Sequence, residues 1–429
     1  MRDVGVHGSI IRAAVFLLVL AALGGCGRSS EPVRTEQKLL FVGIDALDWN
    51  VARPMMEEEK LPHLSDLVSR GTSGDILTLI PLARSPIIWT TIGTGKEPNQ
   101  HGIGGFVEDA GGTDVPVTRN VRQAKAVWNI LGAAGMDVGV VGWWVTWPAE
   151  AVRGVMVSDY LQYNFSDTEL YEGQTYPESL YEEIAGLVLT PDRIGDDVLA
   201  PFVEGNVADL AAGEYATGIE ALRWIVAADL TFARVGLHLY RTRRPPFFTV
   251  YLRGLDSACH KFWHEFKAPE PTGSPFRVTV PHYYEFADSL LGLFLAVAEE
   301  ETTVLVCSDH GFRGARTRWD GTPALGIRMH REYGTVVMAG PGIRRGATAG
   351  NVTVLDVTPT ILYFFGLPVA GDMRGVVVKD FFSRPFLERH PVLTIDSYET
   401  SRPAARPEPV GSPVDEELVR RLKALGYIQ

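Results

Sequence analysis

The chain has 429 residues, 46% of them hydrophobic and 21% charged, with a formal net charge of −12. That length and apolar content can bury a large core, as one big α/β domain or one domain with an insertion, and they exclude a disordered or fibrous protein. The negative balance argues against sequence-independent binding of a nucleic acid duplex, which needs clustered Lys and Arg, so an anionic ligand requires a local positive centre such as bound metal ions.

Arg2 and Arg12 precede an apolar run from Ala13 to Leu23 that is too short to span a bilayer comfortably, as in a targeting segment. The run ends in Leu23-Gly24-Gly25-Cys26, which resembles the lipobox of bacterial lipoproteins, where the cysteine is lipidated and becomes the mature N-terminus. The other reading is an ordinary signal peptide with an incidental cysteine. The expectation is a lipoprotein signal peptide over 1–26, a polar tether over 27–37, and export to the cell envelope with a lipid anchor at Cys26 on a bacterial membrane. Beyond it only Cys259 and Cys307 remain, so no disulfide framework is implied.

From Lys38 the sequence runs Leu-Leu-Phe-Val-Gly-Ile into Asp45, a continuous apolar stretch of the length of a strand buried on both faces. Similar runs recur at Val138 to Val141, Phe247 to Leu252, Thr303 to Cys307 and Thr335 to Ala339. Helical patterns lie between them, most clearly after Pro281, where Phe286, Leu290, Leu291, Phe294 and Val297 fall at three- and four-residue spacings. The alternation predicts an α/β fold with a doubly wound, mostly parallel central sheet and helices on both faces. Residues 149–240 fit it poorly, with short helical patterns such as Ala221 to Ala233, and read as an inserted cap in a catalytic domain over 38–400. A helix after Asp356 is predicted to stop at Gly366 before Leu367-Pro368. Residues 401–429 read as a Pro-rich linker followed by a helix from Asp415 to Leu425.

Acidic and histidine residues gather where the strands end, the edge at which open parallel sheets bind ligands. Asp45 closes the first strand, Asp256 and His260 follow the one through Leu252, Asp309-His310-Gly311 follows Cys307, and His330 precedes the strand through Val336. A lone Asp at a strand end is ordinarily a turn or helix cap. Together, however, three carboxylates and three imidazoles form a ligand set suited to two zinc-like ions. Ser85, before Pro86 and an apolar stretch, reads as the N-cap of a short helix with Pro86 at its first position. There its hydroxyl would stand beside free backbone N–H groups and a positive partial charge, a suitable dock for a phosphoryl group, or it would merely cap the helix.

The order of these motifs resembles the alkaline phosphatase superfamily, in particular type I phosphodiesterases and nucleotide pyrophosphatases. The similarity is carried by Val42-Gly43-Ile44-Asp45, Ser85 with Thr94-Gly95 and Pro98-Asn99-Gln100-His101-Gly102-Ile103, Asp256 with His260, Ser308-Asp309-His310-Gly311, His330 before Val336-Val337-Met338-Ala339-Gly340-Pro341-Gly342, and Asp356-Val357-Thr358-Pro359-Thr360. It implies two divalent ions, zinc by preference: one held by Asp45, Asp309, His310 and the nucleophile Ser85, the other by Asp256, His260 and His330. The implied reaction is hydrolysis of a phosphodiester or pyrophosphate bond through a phosphoserine, on a phosphate-ester small molecule, a nucleotide or an envelope phospho-conjugate. Phosphoryl or phosphoethanolamine transfer to an envelope glycan or lipid uses the same covalent step. A lipid-anchored, metal-containing binding protein with little catalysis is the reading from a different class.

Two positions depart from the pattern. Nucleotide pyrophosphatases usually carry Thr as nucleophile and an Asn three positions later that donates to a phosphoryl oxygen; here those positions are Ser85 and Ile88. Transition-state charge would then fall on the metals, on the N–H groups of Ile87 and Ile88, or on Arg84, which could bind phosphate or face solvent. Sulfatases, which share the fold, need a Cys/Ser-x-Pro-x-Arg context that Ser85-Pro86-Ile87-Ile88-Trp89 does not provide. His264 reads as surface or supporting, Cys259 as a packed small residue, and His101 as ordering a turn. Trp143, Trp144 and Trp147 read as core or as a stacking pocket.

Overall fold

In the computed structural model, which describes residues 37–109, 112–163, 172–267, 273–314, 316–317, 323–324, 326–400 and 407–424, the run from Lys38 is strand β1 (Lys38–Ile44). The expected signal peptide with Cys26, the tether up to Glu36, residues 401–406 of the linker and the predicted helix end at Leu425 lie outside the described residues. Downstream come β2 (Thr72–Leu77), β3 (Val138–Val141), β4 (Gly154–Val157), β5 (Thr175–Tyr176), β6 (Phe247–Leu252) and β7 (Thr302–Cys307). They are followed by β8 (Gly311–Phe312), β9 (His330–Arg331), β10 (Tyr333–Ala339), β11 (Ala347–Thr348) and β12 (Val352–Thr353).

Ten of these form one sheet, in the order β11-β2-β10-β7-β1-β6-β3-β4-β5, with β12 also on β2. The centre is parallel: β1 pairs with β6 and β7, and β3 with β4 and β6. Antiparallel pairing enters through β10, on β7 and β2, and at the edge through β5. Because Ile44 is paired with Leu252 and Gly43 with Cys307, β1, β6 and β7 end in step, and the residues after them emerge at one edge.

The pleat of β1 divides its side chains between two cores. Leu40, Val42 and Ile44 face one side with helices α2 (Ala216–Arg243), α3 (Gly254–Phe266) and α4 (Thr279–Val297). Leu39 and Phe41 face the other with α1 (Ser85–Thr94) and α5 (Val357–Phe364). This is the doubly wound, mostly parallel architecture the sequence predicts. Helix α4 starts two residues before Pro281, which the first turn accepts because its amides have no intrahelical partner. Helix α5 ends before Gly366, whose φ of 71° suits a residue without a Cβ.

The span 149–240 is built into this body rather than set apart from it as a cap. It supplies β4 and β5 to the sheet, and the short pattern at Ala221 to Ala233 is part of the 28-residue α2, which packs on β6 and β3. Strand β4 opens on Gly154 and β5 has only two residues, Thr175 and Tyr176, so neither shows as a continuous apolar run. A last helix, α6 (Asp415–Ala424), buries Leu418 and Leu422. Among the described residues no helix is long and apolar enough to cross a membrane.

Candidate metal centre

The in-step ends of β1, β6 and β7 deliver Asp45, the α3 pair Asp256 and His260, and the turn Asp309-His310 to one place. His330 arrives from the other direction, because β8 and β9 pair with Phe312 opposite His330. Its ring stacks on that of His310 at 3.7 Å between centroids. Two groups result, Asp45, Asp309 and His310, and Asp256, His260 and His330; within each, the ligand atoms lie within 4.8 Å of one another. His310 Nε2 is 3.4 Å from Asp45 Oδ1 and 3.3 Å from Asp309 Oδ2. His260 Nε2 is 3.4 Å from Asp256 Oδ1 and 2.9 Å from His330 Nε2.

Several of these atoms are buried without a hydrogen-bond partner: Asp45 Oδ1, Asp309 Oδ2 and His310 Nε2. Orphaned acceptors at this density are costly unless a cation occupies the space between them. His310 Nδ1 lies 3.1 Å from the Gly311 carbonyl, a contact it makes as donor, which leaves the Nε2 lone pair for a ligand. Burial lowers the pKa of His260 to about 4, and burial with His310 and His260 nearby takes His330 well below its ordinary value, so both are neutral at neutral pH. Burial, with Asp45 and Asp256 close by, pushes the Asp309 carboxyl well up. A donor set of imidazole nitrogens and mutually repelling carboxylates fits divalent cations.

Ser85 is buried, and its Oγ has no hydrogen-bond partner. It is the first residue of α1, with Arg84 in the N-cap position predicted for Ser85. Trp89 lies one turn later on the same face and donates from Nε1 to Asp45 Oδ2 at 3.2 Å, which ties α1 to the first group. The proposed donors at Ile87 and Ile88 are not free: both N–H groups bond to the Arg84 carbonyl, at 2.9 and 3.1 Å. Pro86 tightens this first turn and has no N–H of its own. Ile88, where the family Asn stands, is fully buried in the core. The Arg84 guanidinium lies beside Gly105.

The sequence reading missed the groups that hold these candidate ligands in place. Tyr251, on β6, donates its hydroxyl to Asp45 Oδ2 alongside Trp89, so one oxygen is fixed and the other left bare. Both aromatic rings close over Gly43, where an added Cβ would stand 2.8 Å from Trp89. Gly43→Ala is therefore expected to cost about 1–3 kcal/mol by overpacking and to lower activity at least tenfold. Urea unfolding compared with steady-state rates checks both.

Asp48 ties the β8–β9 ladder to the loop after β1. Its Oδ2 accepts from the Phe312 N–H and Arg331 Nε, both at 2.9 Å, and its Oδ1 from Arg331 Nη2 at 2.5 Å. Asp48 also caps the helix that follows it, accepting from the Asn50 N–H at 2.7 Å. Asp48→Ala strands these donors, so a loss of about 1–3 kcal/mol is expected. Metal titration should show the second group weakened more than the first, since His330 sits on that ladder.

Asp229, on α2, accepts from the Arg253 and Gly254 N–H groups, each at 3.0 Å, and from Tyr283 OH at 3.0 Å. It caps α3 from a neighbouring helix, because α3 has no capping side chain of its own. Burial raises its pKa to about 6.

Among the other residues singled out, His264 is exposed beside Glu265. Cys259 is buried, with its thiol pKa pushed well up by burial. His101 accepts from the Ile103 N–H at 3.1 Å and meets Thr91 Oγ1 at 3.1 Å, so it does order a turn; burial, with Arg122 nearby, lowers its pKa to about 3. Trp143, Trp144 and Trp147 are buried core, with Trp144 Nε1 on Tyr251 OH at 2.7 Å.

Residues 39–340 match the family description type I phosphodiesterase / nucleotide pyrophosphatase. The chain belongs to this family, within the alkaline phosphatase superfamily. The type I phosphodiesterase family hydrolyses phosphate esters and is metal-dependent. A comparison with curated proteins gave no match. Among solved structures, a 2-O GAG sulfatase is similar at a TM-score of 0.52 and 11% identity, over 80% of this chain and 73% of that one; the likeness is one of fold. Human ectonucleotide pyrophosphatase / phosphodiesterase 5 gives 0.48 and 12%, over 81% of this chain and 100% of that one. Phosphonoacetate hydrolase from Sinorhizobium meliloti, in complex with phosphonoformate, gives 0.42 and 16% over 67% of this chain. The chain spans 59% of that hydrolase's length.

Proposed function

We propose that this family member is a two-metal hydrolase that cleaves a phosphodiester or pyrophosphate bond through a phosphoserine at Ser85. The observation that carries the reading is the contact of two three-ligand groups through His310 and His330, with the partnerless Ser85 hydroxyl on the helix that reaches Asp45. Asp45, Asp309, His310 and Ser85 would hold one ion and Asp256, His260 and His330 the other, zinc suiting this nitrogen and oxygen set. Bound there, such ions favour the ionised serine hydroxyl and offset charge on phosphoryl oxygens.

Ser85 Oγ gives up its proton and attacks phosphorus; the bond to the leaving oxygen breaks, and that oxygen takes a proton. Water then attacks from the vacated side, the serine–phosphorus bond breaks, and Ser85 regains a proton. The chain's own part is positioning. Trp89 and Tyr251 fix Asp45, Asp48 with Arg331 fixes the His330 ladder, and Asp229 fixes the start of α3. The first turn of α1 offers neither the Ile87 nor the Ile88 N–H to the phosphoryl group.

The substrate falls among phosphate-ester small molecules, nucleotides and envelope phospho-conjugates. Export and lipidation at Cys26 belong to the same proposal, motivated by Arg2, Arg12 and the apolar run before Cys26. Loss of fatty-acid labelling in Cys26→Ala tests that part. For the reaction, the zinc-loaded protein is given bis-p-nitrophenyl phosphate and quenched in acid. A Ser85 peptide esterified to p-nitrophenyl phosphate, one nitrophenolate having left, is the expected result; steady turnover without it sinks the covalent route.

A further inference from the structure

A recess of about 270 Å³ opens between α2, α3 and α6. Its α3 wall includes Ser257 and Lys261, each one residue beyond a candidate ligand, Asp256 and His260. The recess therefore lies along the helix that carries two of the three members of the second group. Ala221, Trp224 and Ile225 of α2 make an apolar second wall.

The third wall comes from the far end of the chain, as Leu418 and Leu422 of α6. This helix is held by its own approach: the Val410 N–H donates to Thr118 Oγ1 at 3.0 Å, and Asn120 bonds the Glu408 carbonyl. Leu418 and Leu422 are buried in that position. Its charged lining is cationic on balance: Arg253, Lys261 and Arg420 against the single carboxylate of Glu220. Arg253 follows strand β6 and sets its guanidinium 5.2 Å over Trp144, the residue bonded to Tyr251 and through it to Asp45.

We propose that this recess receives the apolar part of the substrate's ester group, with α6 as one of its walls, so that the preferred substrate is a phosphate ester bearing a ring-sized apolar group. The inference rests on the phosphohydrolase reading and deepens it. Apolar walls that carry cations match a ligand that is apolar at one end and anionic at the other. The size agrees: an apolar cavity of about 150 Å³ already takes benzene. Two diacyl chains are too large for the space.

The test uses the zinc-loaded full chain and two non-hydrolysable probes, benzylphosphonate and methylphosphonate, measured by calorimetry. The native protein is expected to bind the benzyl compound at least tenfold more tightly. Ala221→Trp, which fills the recess, and Leu422→Asp, which withdraws the α6 wall, should each cut that ratio by about tenfold, with circular dichroism confirming the fold. Equal affinities in the native protein, no binding of either probe, or a ratio unchanged in both variants overturns the proposal. Rates on p-nitrophenyl phenyl and methyl phosphates separate the two claims. A benzyl preference without Ser85-dependent hydrolysis leaves the recess standing and sinks the hydrolase; hydrolysis without the preference does the reverse.

Discussion

Ser85→Ala is expected to lower turnover of a phosphodiester by roughly 10⁴-fold or more, the scale on which losing a covalent nucleophile is felt, while leaving the fold intact or firmer. The two effects have one cause. The Ser85 hydroxyl is buried and bonded to nothing, so its removal relieves a polar group that costs about 1–3 kcal/mol when left unsatisfied. A residue placed there for packing would show the opposite pattern, with stability lost and the rate barely moved. Thermal unfolding of metal-free protein beside initial rates of loaded protein decides between them. A variant that keeps a tenth of native activity removes Ser85 from the mechanism.

The second large effect is expected at Asp309, and its sign depends on whether metal is present. Burial and the nearby Asp45 and Asp256 raise the Asp309 pKa well above that of an unfolded carboxylate. Below the unfolded value both states hold the proton and nothing is lost. As pH rises through the interval up to the folded value, the unfolded state ionises first, and the metal-free fold loses stability. Asp309→Asn removes that penalty, so the metal-free variant should melt roughly 2–4 °C above the native protein at pH 7–8. The gap should close towards pH 4. His260, with its pKa of about 4, works in the opposite direction, favouring the fold as pH climbs towards 6.5, but it does so in both proteins and cancels in the difference.

Adding zinc should reverse the order. A ligand at about 100 times its dissociation constant stabilises the native protein by about 2.7 kcal/mol, whereas the variant offers a poorer first group. Differential scanning fluorimetry with and without chelator reads all four states. Asp309→Asn melting below the native protein in chelator would show that the carboxylate is already satisfied, and the first metal position would have to be given up.

The sheet and the six residues that gather in the two candidate groups were legible because each lies next to a strong local signal. Asp45, Asp256 with His260, and Asp309-His310 follow apolar strands, and strands β1, β6 and β7 are long enough to announce themselves. The supporting residues were not legible. Asp48 looks like a helix cap, Tyr251 like an ordinary strand residue and Asp229 like the polar face of a helix; their partners lie far off in sequence, as Arg331 does from Asp48. The availability of an N–H group is equally invisible before the turn is built, which is why Ile87 and Ile88 were wrongly offered as donors. Residues 149–240 hide their part in the sheet for a simpler reason: β4 opens on a glycine, β5 has two residues, and α2 turns much of its length inward, so none shows the expected pattern.

The in-step pairing of β1 with both β6 and β7 has a kinetic consequence. Neither group of ligands can close until segments some two hundred residues apart have found their register. Such contacts form late on the folding route, after the entropy of closing long loops has been met. Cations should therefore act as a latch on the finished molecule: refolding rates stay nearly constant with zinc in the buffer, while the unfolding limb of the chevron slows in proportion to the metal bound.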